Sequence, residues 1–185
     1  MAVLVADTSA LVSLGVASVP DEESHENAGS GTNGGAADPL SICLDEYAVF
    51  IPDVVGDELR EVASYDDEHA RAATLVLDRL DELTVTAVEL DETFPLEDGE
   101  NAAVTLANDH DADLVCCDEF GRLGLIHASL ADTRLVTTPT LLSVFVRAGR
   151  LTPAEARDVL DVIGAARSWE SNSYVERARS LFRAN

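Results

Sequence analysis

Apolar residues in this chain fall into short continuous runs separated by longer stretches with helical spacing. Val3-Leu-Val-Ala6 is a run of the kind that makes a buried parallel strand, and it leads straight into Asp7-Thr-Ser9 and a brief apolar helix to Leu14. Val49-Phe-Ile51, Thr84-Val-Thr-Ala-Val88, Leu114-Val-Cys-Cys117 and Leu135-Val136 read as four further strands. Between them, Pro39 opens a short helix carrying Ile42, Cys43 and Leu44, and Pro52 opens another at the favoured first-turn position. Val55, Leu59, Val62 and Ala63 stripe one face of that second helix, and Ala72, Leu75, Val76, Leu80 and Leu83 stripe a longer one over residues 67–83.

The second half continues the alternation. Asp98 predicts an N-cap for a helix to Asp109, with Ala103, Val104 and Ala107 facing inward. Helices follow over 119–130 and 138–148, then one opened by the capping box Thr152-Pro-Ala-Glu155, then one over 173–182. Strands alternating with helices imply an α/β fold with a mostly parallel sheet covered on both faces. Residues 20–38 interrupt the pattern. They hold five acids, four glycines and no apolar residue larger than Ala, and are expected to form a flexible surface insertion. The 185 residues then suffice for one domain: a unit over 1–150, with C-terminal helices over 151–185 packed on it.

Charge changes this picture. There are 35 Asp and Glu against 12 basic residues, all of them Arg, for a net charge of −23. That balance argues against the simplest nucleic-acid binder, a small domain coated in basic residues. So acidic a chain should repel itself in dilute buffer, whereas molar salt shortens the screening length to about 3 Å. An acidic, Lys-free surface around an ordinary apolar core resembles proteins of extreme halophiles with a salt-filled cytoplasm. Cys43, Cys116 and Cys117 form neither a disulfide framework nor a spaced metal motif, which fits a reducing compartment. With no membrane-length apolar run and no signal-like start, the expectation is a cytoplasmic protein that does not engage a membrane.

Two acids follow apolar strands, where α/β sheets gather functional groups: Asp7 and Asp118. Two more sit on helices beside the buried stripe. Glu58 lies three residues after Val55 and four before Val62, and Glu100 lies three and four residues before Ala103 and Val104. Carboxylates packed together raise one another's pKa, so such a cluster is costly unless a cation occupies it. Hard divalent ions take oxygen ligands, and the chemistry suited to such a site is phosphodiester hydrolysis.

Val-Leu-Val-Ala-Asp7-Thr-Ser9, the Glu58 helix after Ile51-Pro52, Asp98-Gly-Glu100-Asn-Ala-Ala and Leu-Val-Cys-Cys-Asp118-Glu-Phe-Gly-Arg122 occur in the order and spacing of a PIN domain. The chain resembles the VapC-like toxin ribonucleases most closely. The resemblance implies a three-layer αβα fold with a five-stranded parallel sheet. It implies that Asp7, Glu58, Glu100 and Asp118 hold one or two Mg²⁺ or Mn²⁺ ions and orient the attacking water. Ser9 matches a small polar residue that supports the first Asp, with Thr8 a weaker candidate and Glu119 a fifth acid acting at one remove. Glu100 stands where many relatives have Asp. The implied function is a metal-dependent endoribonuclease, the toxin of a toxin–antitoxin pair, with an antitoxin protein and a second copy of the chain as partners. The alternatives are a PIN-fold RNA-binding or regulatory protein of weak catalysis, and a phosphatase acting on small phosphate esters.

Other signals are weaker. His25, His69, His110 and His127 lie at no metal-ligand spacing and are expected at the surface, and one of Cys116 and Cys117 is expected in the core. No P-loop, dinucleotide fingerprint or nucleophile elbow is present. Residues 1–117 hold three Arg and 27 acids, net −24, whereas residues 118–185 hold nine Arg and eight acids, net +1. Arg122, Arg177, Arg179 and Arg183 are therefore candidates for RNA contact, against the alternative that they pair with local acids such as Glu170 and Glu176.

Overall fold

The computed structural model describes residues 1–20 and 37–183, so the acidic insertion expected over 20–38 lies almost wholly outside the described residues. Five strands form: β1 (Ala2–Ala6), β2 (Tyr47–Pro52), β3 (Thr84–Thr86), β4 (Leu114–Cys116) and β5 (Arg134–Val136). They alternate with α1 (Thr8–Val16), α2 (Pro39–Glu46), α3 (Asp53–Ala63), α4 (Glu68–Leu77), α5 (Asp98–Asp109), α6 (Leu123–Ser129), α7 (Thr138–Arg147), α8 (Pro153–Ala166) and α9 (Ser173–Arg183). Every strand pairing is parallel, in the order β3-β2-β1-β4-β5, which is the expected five-stranded α/β sheet with helices on both faces.

Strand alternation sorts the core into two parts. Leu4, Ala6, Val49 and Ile51 face a large cluster completed by α1 to α4 and α7 to α9. Val5, Val115 and Cys117 face a smaller one covered by α5 and α6. The chain leaves β1 toward the large cluster and leaves β4 toward the small one. Strand order therefore reverses between β1 and β4, the position where open α/β sheets leave a crevice at the carboxyl ends of their strands. Residues beyond 150 belong to the same large cluster, through Leu160, Ile163, Val175 and Phe182. On that face α1 lies hard against α4: a Cβ at Gly15 would stand 2.8 Å from the Ala72 carbonyl oxygen.

Several local expectations are corrected. Pro52 is not the first helical residue but the last of β2 and the N-cap of α3. The helix expected to run to residue 83 stops at Leu77; Arg79 then turns back onto Glu82 in a 3₁₀ turn that delivers Leu83 to the core and starts β3. Strand β3 ends at Thr86 because Val88 swings toward the small cluster. Residues 119–122 form a turn, with the Arg122 amide on the Glu119 carbonyl at 3.0 Å, before α6 begins. Cys116 and Cys117 are both buried, one in each cluster, because both faces of β4 are covered.

Candidate active site at the carboxyl ends of β1 and β4

Parallel registry pairs Ala6 with Cys116, so the residues just beyond, Asp7 and Asp118, emerge on neighbouring central strands. Asp7 caps α1, with Oδ1 accepting from the Ala10 amide at 2.9 Å. The Ser9 hydroxyl lies 2.9 Å from both carboxylate oxygens, and the Cys117 thiol donates to Oδ2 at 3.0 Å. Only 6% of Asp7 is exposed, and burial pushes its pKa up to about 6 in spite of these donors, with repulsion from Asp118 adding to the effect.

Asp118 is 3% exposed. Its amide donates to Ser9 Oγ at 2.8 Å, and its Oδ1 accepts from the Thr138 amide at 2.7 Å. Its Oδ2 is buried and, among the described residues, meets no donor in hydrogen-bond geometry. Burial holds this carboxyl above the usual range, while the Thr138 amide, the nearby Thr138 and Ser13 hydroxyls and the positive charge of Arg167 pull the other way. Ser9 thus links the two aspartates, donating to one side chain and accepting from the backbone of the other.

The glutamates arrive on helices. Glu58 is half-buried on α3, accepts a hydrogen bond from the Thr8 hydroxyl, and packs against the first turn of α5, where a Cβ at Gly99 would stand 2.6 Å from its Oε1. Thr8, the weaker candidate in the sequence, therefore holds an acid of the set. Glu100 is 8% exposed. The N-cap of α5 is Glu97 rather than Asp98, and Glu100 is the third helical residue that reaches back to the Glu97 amide at 3.2 Å. The same Oε2 accepts from Arg122 at 3.3 Å, and Arg122 also pairs with Glu97.

These attachments explain what the four acids do not do. Among the described residues no three Asp, Glu, His or Cys side chains converge closely enough to hold a metal ion. Glu58 is drawn onto Thr8, Glu100 onto Glu97 and Arg122, and Asp7 is supplied with donors on both oxygens. The donor chemistry nevertheless fits a hard cation. All four groups offer carboxylate oxygens, Asp118 Oδ2 lacks a partner, and both buried aspartates resist ionisation in a way that an adjacent positive ion would offset.

The remaining candidates separate clearly. Glu119 is exposed, its amide 3.4 Å from Cys117 Sγ. Arg179 is engaged by Asp161 and Glu176, whereas Arg177 is exposed and forms no ion pair among the described residues. His110 and His127 are exposed as expected, but His69 is half-buried with Nε2 shielded and unpartnered; His25 lies outside the described residues. Sequence reasoning missed Cys117 as a donor to Asp7, the Thr138 amide under Asp118, and Arg167. Only Arg167 left a signal, in the arginine-rich second half of the chain. Among the described residues no helix is long and apolar enough to cross a membrane. Compared with protein-family models, residues 37–184 match the family described as PIN domain; the matched span contains Glu58, Glu100 and Asp118 and begins after Asp7. No curated protein matches the chain.

Proposed function

The chain belongs to the PIN-domain family, whose members are generally nucleases, and from that premise we propose that it is a metal-dependent endoribonuclease acting at the carboxyl ends of β1 and β4. The observation that carries the reading is the pair of buried aspartates on adjacent strand ends, one with an oxygen that meets no donor in hydrogen-bond geometry among the described residues. Asp7, Asp118, Glu58 and Glu100 would hold Mg²⁺ or Mn²⁺. When bound, such an ion lowers the pKa of the attacking water and stabilises the leaving oxygen. The protein's own part is positional. Ala10 and Cys117 fix the Asp7 carboxylate, Thr138 fixes that of Asp118, and Ser9 sets the spacing between them. Glu58 and Glu100 reach the same end of the sheet on side chains that rotate to complete the set.

The likeness to VapC-like toxins extends the proposal to the toxin half of a toxin–antitoxin pair, blocked by an antitoxin protein and working as a homodimer. The net charge of −23 without Lys supports a protein adapted to a salt-rich cytoplasm, as in halophilic archaea. Residues 1–150 would form the nuclease unit, with the helices of 151–185 part of the same domain. A second reading, an RNA-binding or regulatory PIN protein of weak catalysis, is favoured by one observation: Arg122 already occupies Glu100. Incubating the full chain with a single-stranded RNA in molar KCl, with Mn²⁺ or with EDTA, separates the two. The nuclease reading expects cleavage with Mn²⁺ that EDTA and Asp118→Asn both abolish. RNA binding without cleavage supports the second reading, and neither binding nor cleavage removes both.

A further inference from the structure

Nine of the twelve arginines lie beyond residue 117, and of the four read from the sequence as candidates for RNA contact, Arg122 and Arg179 are already engaged. Arg122 is held by Glu97 and Glu100, and Arg179 by Asp161 and Glu176. Arg167 differs. It caps the carboxyl end of α8, is half-buried, and makes no ion pair or side-chain hydrogen bond among the described residues. Its charge nevertheless reaches Asp118.

Two cavities meet at this side chain. One, of about 380 Å³, is lined by Thr8, Ser9, Tyr65 and His69 as well as Arg167. The other, of about 400 Å³, runs between the Asp118–Gly121 turn and the loop from Arg167 to Asn172. Phe120 lines this second cavity and is held edge-on to Trp169, with ring centres 5.1 Å apart, and stacked on Tyr174 at 5.5 Å. The loop is built rather than slack: Ser168 and Ser171 both adopt left-handed backbone, with φ of 53° and 62°. Carboxylates line both cavities: Asp67 the first, and Asp118, Glu119 and Glu170 the second. A polyanion entering here is repelled by these carboxylates, and among the described residues lining the two cavities Arg167 is the one arginine that attracts it.

We propose that Arg167 is the phosphate-binding residue of this site, with an RNA strand running through the two cavities, one phosphate on the guanidinium and an adjoining base against Phe120. Arginine suits the task, since its planar fork makes two parallel contacts to a phosphate and stays charged at any working pH. Phe120 and Trp169 give the second cavity an aromatic wall that a base of any kind can pack against, so the subsite takes a single strand without a preferred sequence. The inference rests on the ribonuclease reading and adds to it the place where substrate is gripped.

The test measures binding of a fluorescein-labelled single-stranded RNA by anisotropy, in EDTA and at one fixed molar KCl concentration. Wild type is compared with Arg167→Gln, Arg167→Lys and Arg134→Gln, the last an exposed arginine away from both cavities. Arg167→Gln should weaken binding about tenfold, as loss of one charge-assisted contact does, and Arg167→Lys should restore part of it. Arg134→Gln should stay within about twofold of wild type. In Mn²⁺-dependent cleavage, Arg167→Gln should raise KM with little change in kcat. Matching melting curves for all four proteins establish that the fold is unchanged. If wild type binds and cleaves RNA and Arg167→Gln binds equally well, the subsite is elsewhere while the nuclease reading stands. An equal loss in Arg134→Gln would reduce the effect to net charge and likewise overturn the assignment. If wild type neither binds nor cleaves RNA, the nuclease reading fails and the subsite with it.

Discussion

Asp7 and Asp118 are carried on strand ends, Glu58 and Glu100 on helix faces, and the two pairs are held by different physics. The aspartates are buried and fixed by backbone amides, those of Ala10 and Thr138, which cannot move without the helices they begin. Their burial makes ionisation costly. The glutamates are held by groups on rotatable side chains, the Thr8 hydroxyl and the Arg122 guanidinium, with only the Glu97 amide as a backbone contact. One half of the site is rigid and strained by its own charge; the other half is relaxed and adjustable. That division explains why no three acids converge at rest among the described residues, even though four share one end of the sheet.

The sharpest way to break this contrast is Asp118→Asn. It removes the acid whose Oδ2 has no partner, and Mn²⁺-dependent RNA cleavage should fall by at least about 10³-fold while the melting curve is kept. Glu100→Gln, on the adjustable half, should cost less; an equal loss in both variants would erase the distinction.

Next in size is Asp7→Asn measured without metal. The folded carboxyl keeps its proton up to about pH 6 and the unfolded one releases it near 3.8, so wild-type stability falls as pH rises between those values. Asn keeps the oxygen that caps α1 and removes the buried charge, so the variant should be more stable at pH 7 by roughly 1–3 kcal/mol and should lack that slope. Denaturant titrations at pH 4 and pH 7 in fixed KCl measure both, and a less stable variant at pH 7 would contradict the burial argument.

Gly99→Ala tests the adjustable half. Its methyl group would stand 2.6 Å from Glu58 Oε1, and the carboxylate, being the free end of a side chain, moves aside. Cleavage should drop about tenfold with little change in melting temperature, because Ala also favours the helix by up to about 1 kcal/mol. A large loss of stability with intact cleavage would mean that Glu58 is as fixed as the aspartates. Arg122→Gln should have the smallest effect. It frees Glu100 of its ion pair, so Mn²⁺ affinity measured by calorimetry should rise about threefold, and a fall would show that Arg122 supports the site.

The same contrast separates what was legible in the sequence from what was not. The strand-end acids could be read directly, since an apolar run followed by Asp marks where a buried strand meets its loop. The five parallel strands followed from periodicity for the same reason. What escaped was set by contacts across the fold. Glu97 rather than Asp98 caps α5 because Glu100 reaches back to it, and Arg122 is bound to acids 22 and 25 positions earlier in the chain. Pro52 looked like a first helical residue, but its register with Thr86 keeps it in the sheet. Cys116 and Cys117 could be placed on opposite sides of a strand, yet only the helices on both faces decide that each is buried. Arg167 could be counted from the sequence but not distinguished from Arg179, because the difference lies in which of them finds a carboxylate.

The three buried cysteines have a practical consequence. Burial pushes Cys43 up to about 12 and holds Cys116 and Cys117 well above the ordinary thiol range, so none presents a thiolate to solvent in the folded protein. An alkylating reagent therefore reacts only when the chain opens, and its rate reports how often that happens. Cys43 and Cys116 belong to the large cluster and Cys117 to the small one, next to Asp7. Mapping the alkylated position would then time the opening of each face of the sheet separately, in any salt, without adding a probe to the molecule.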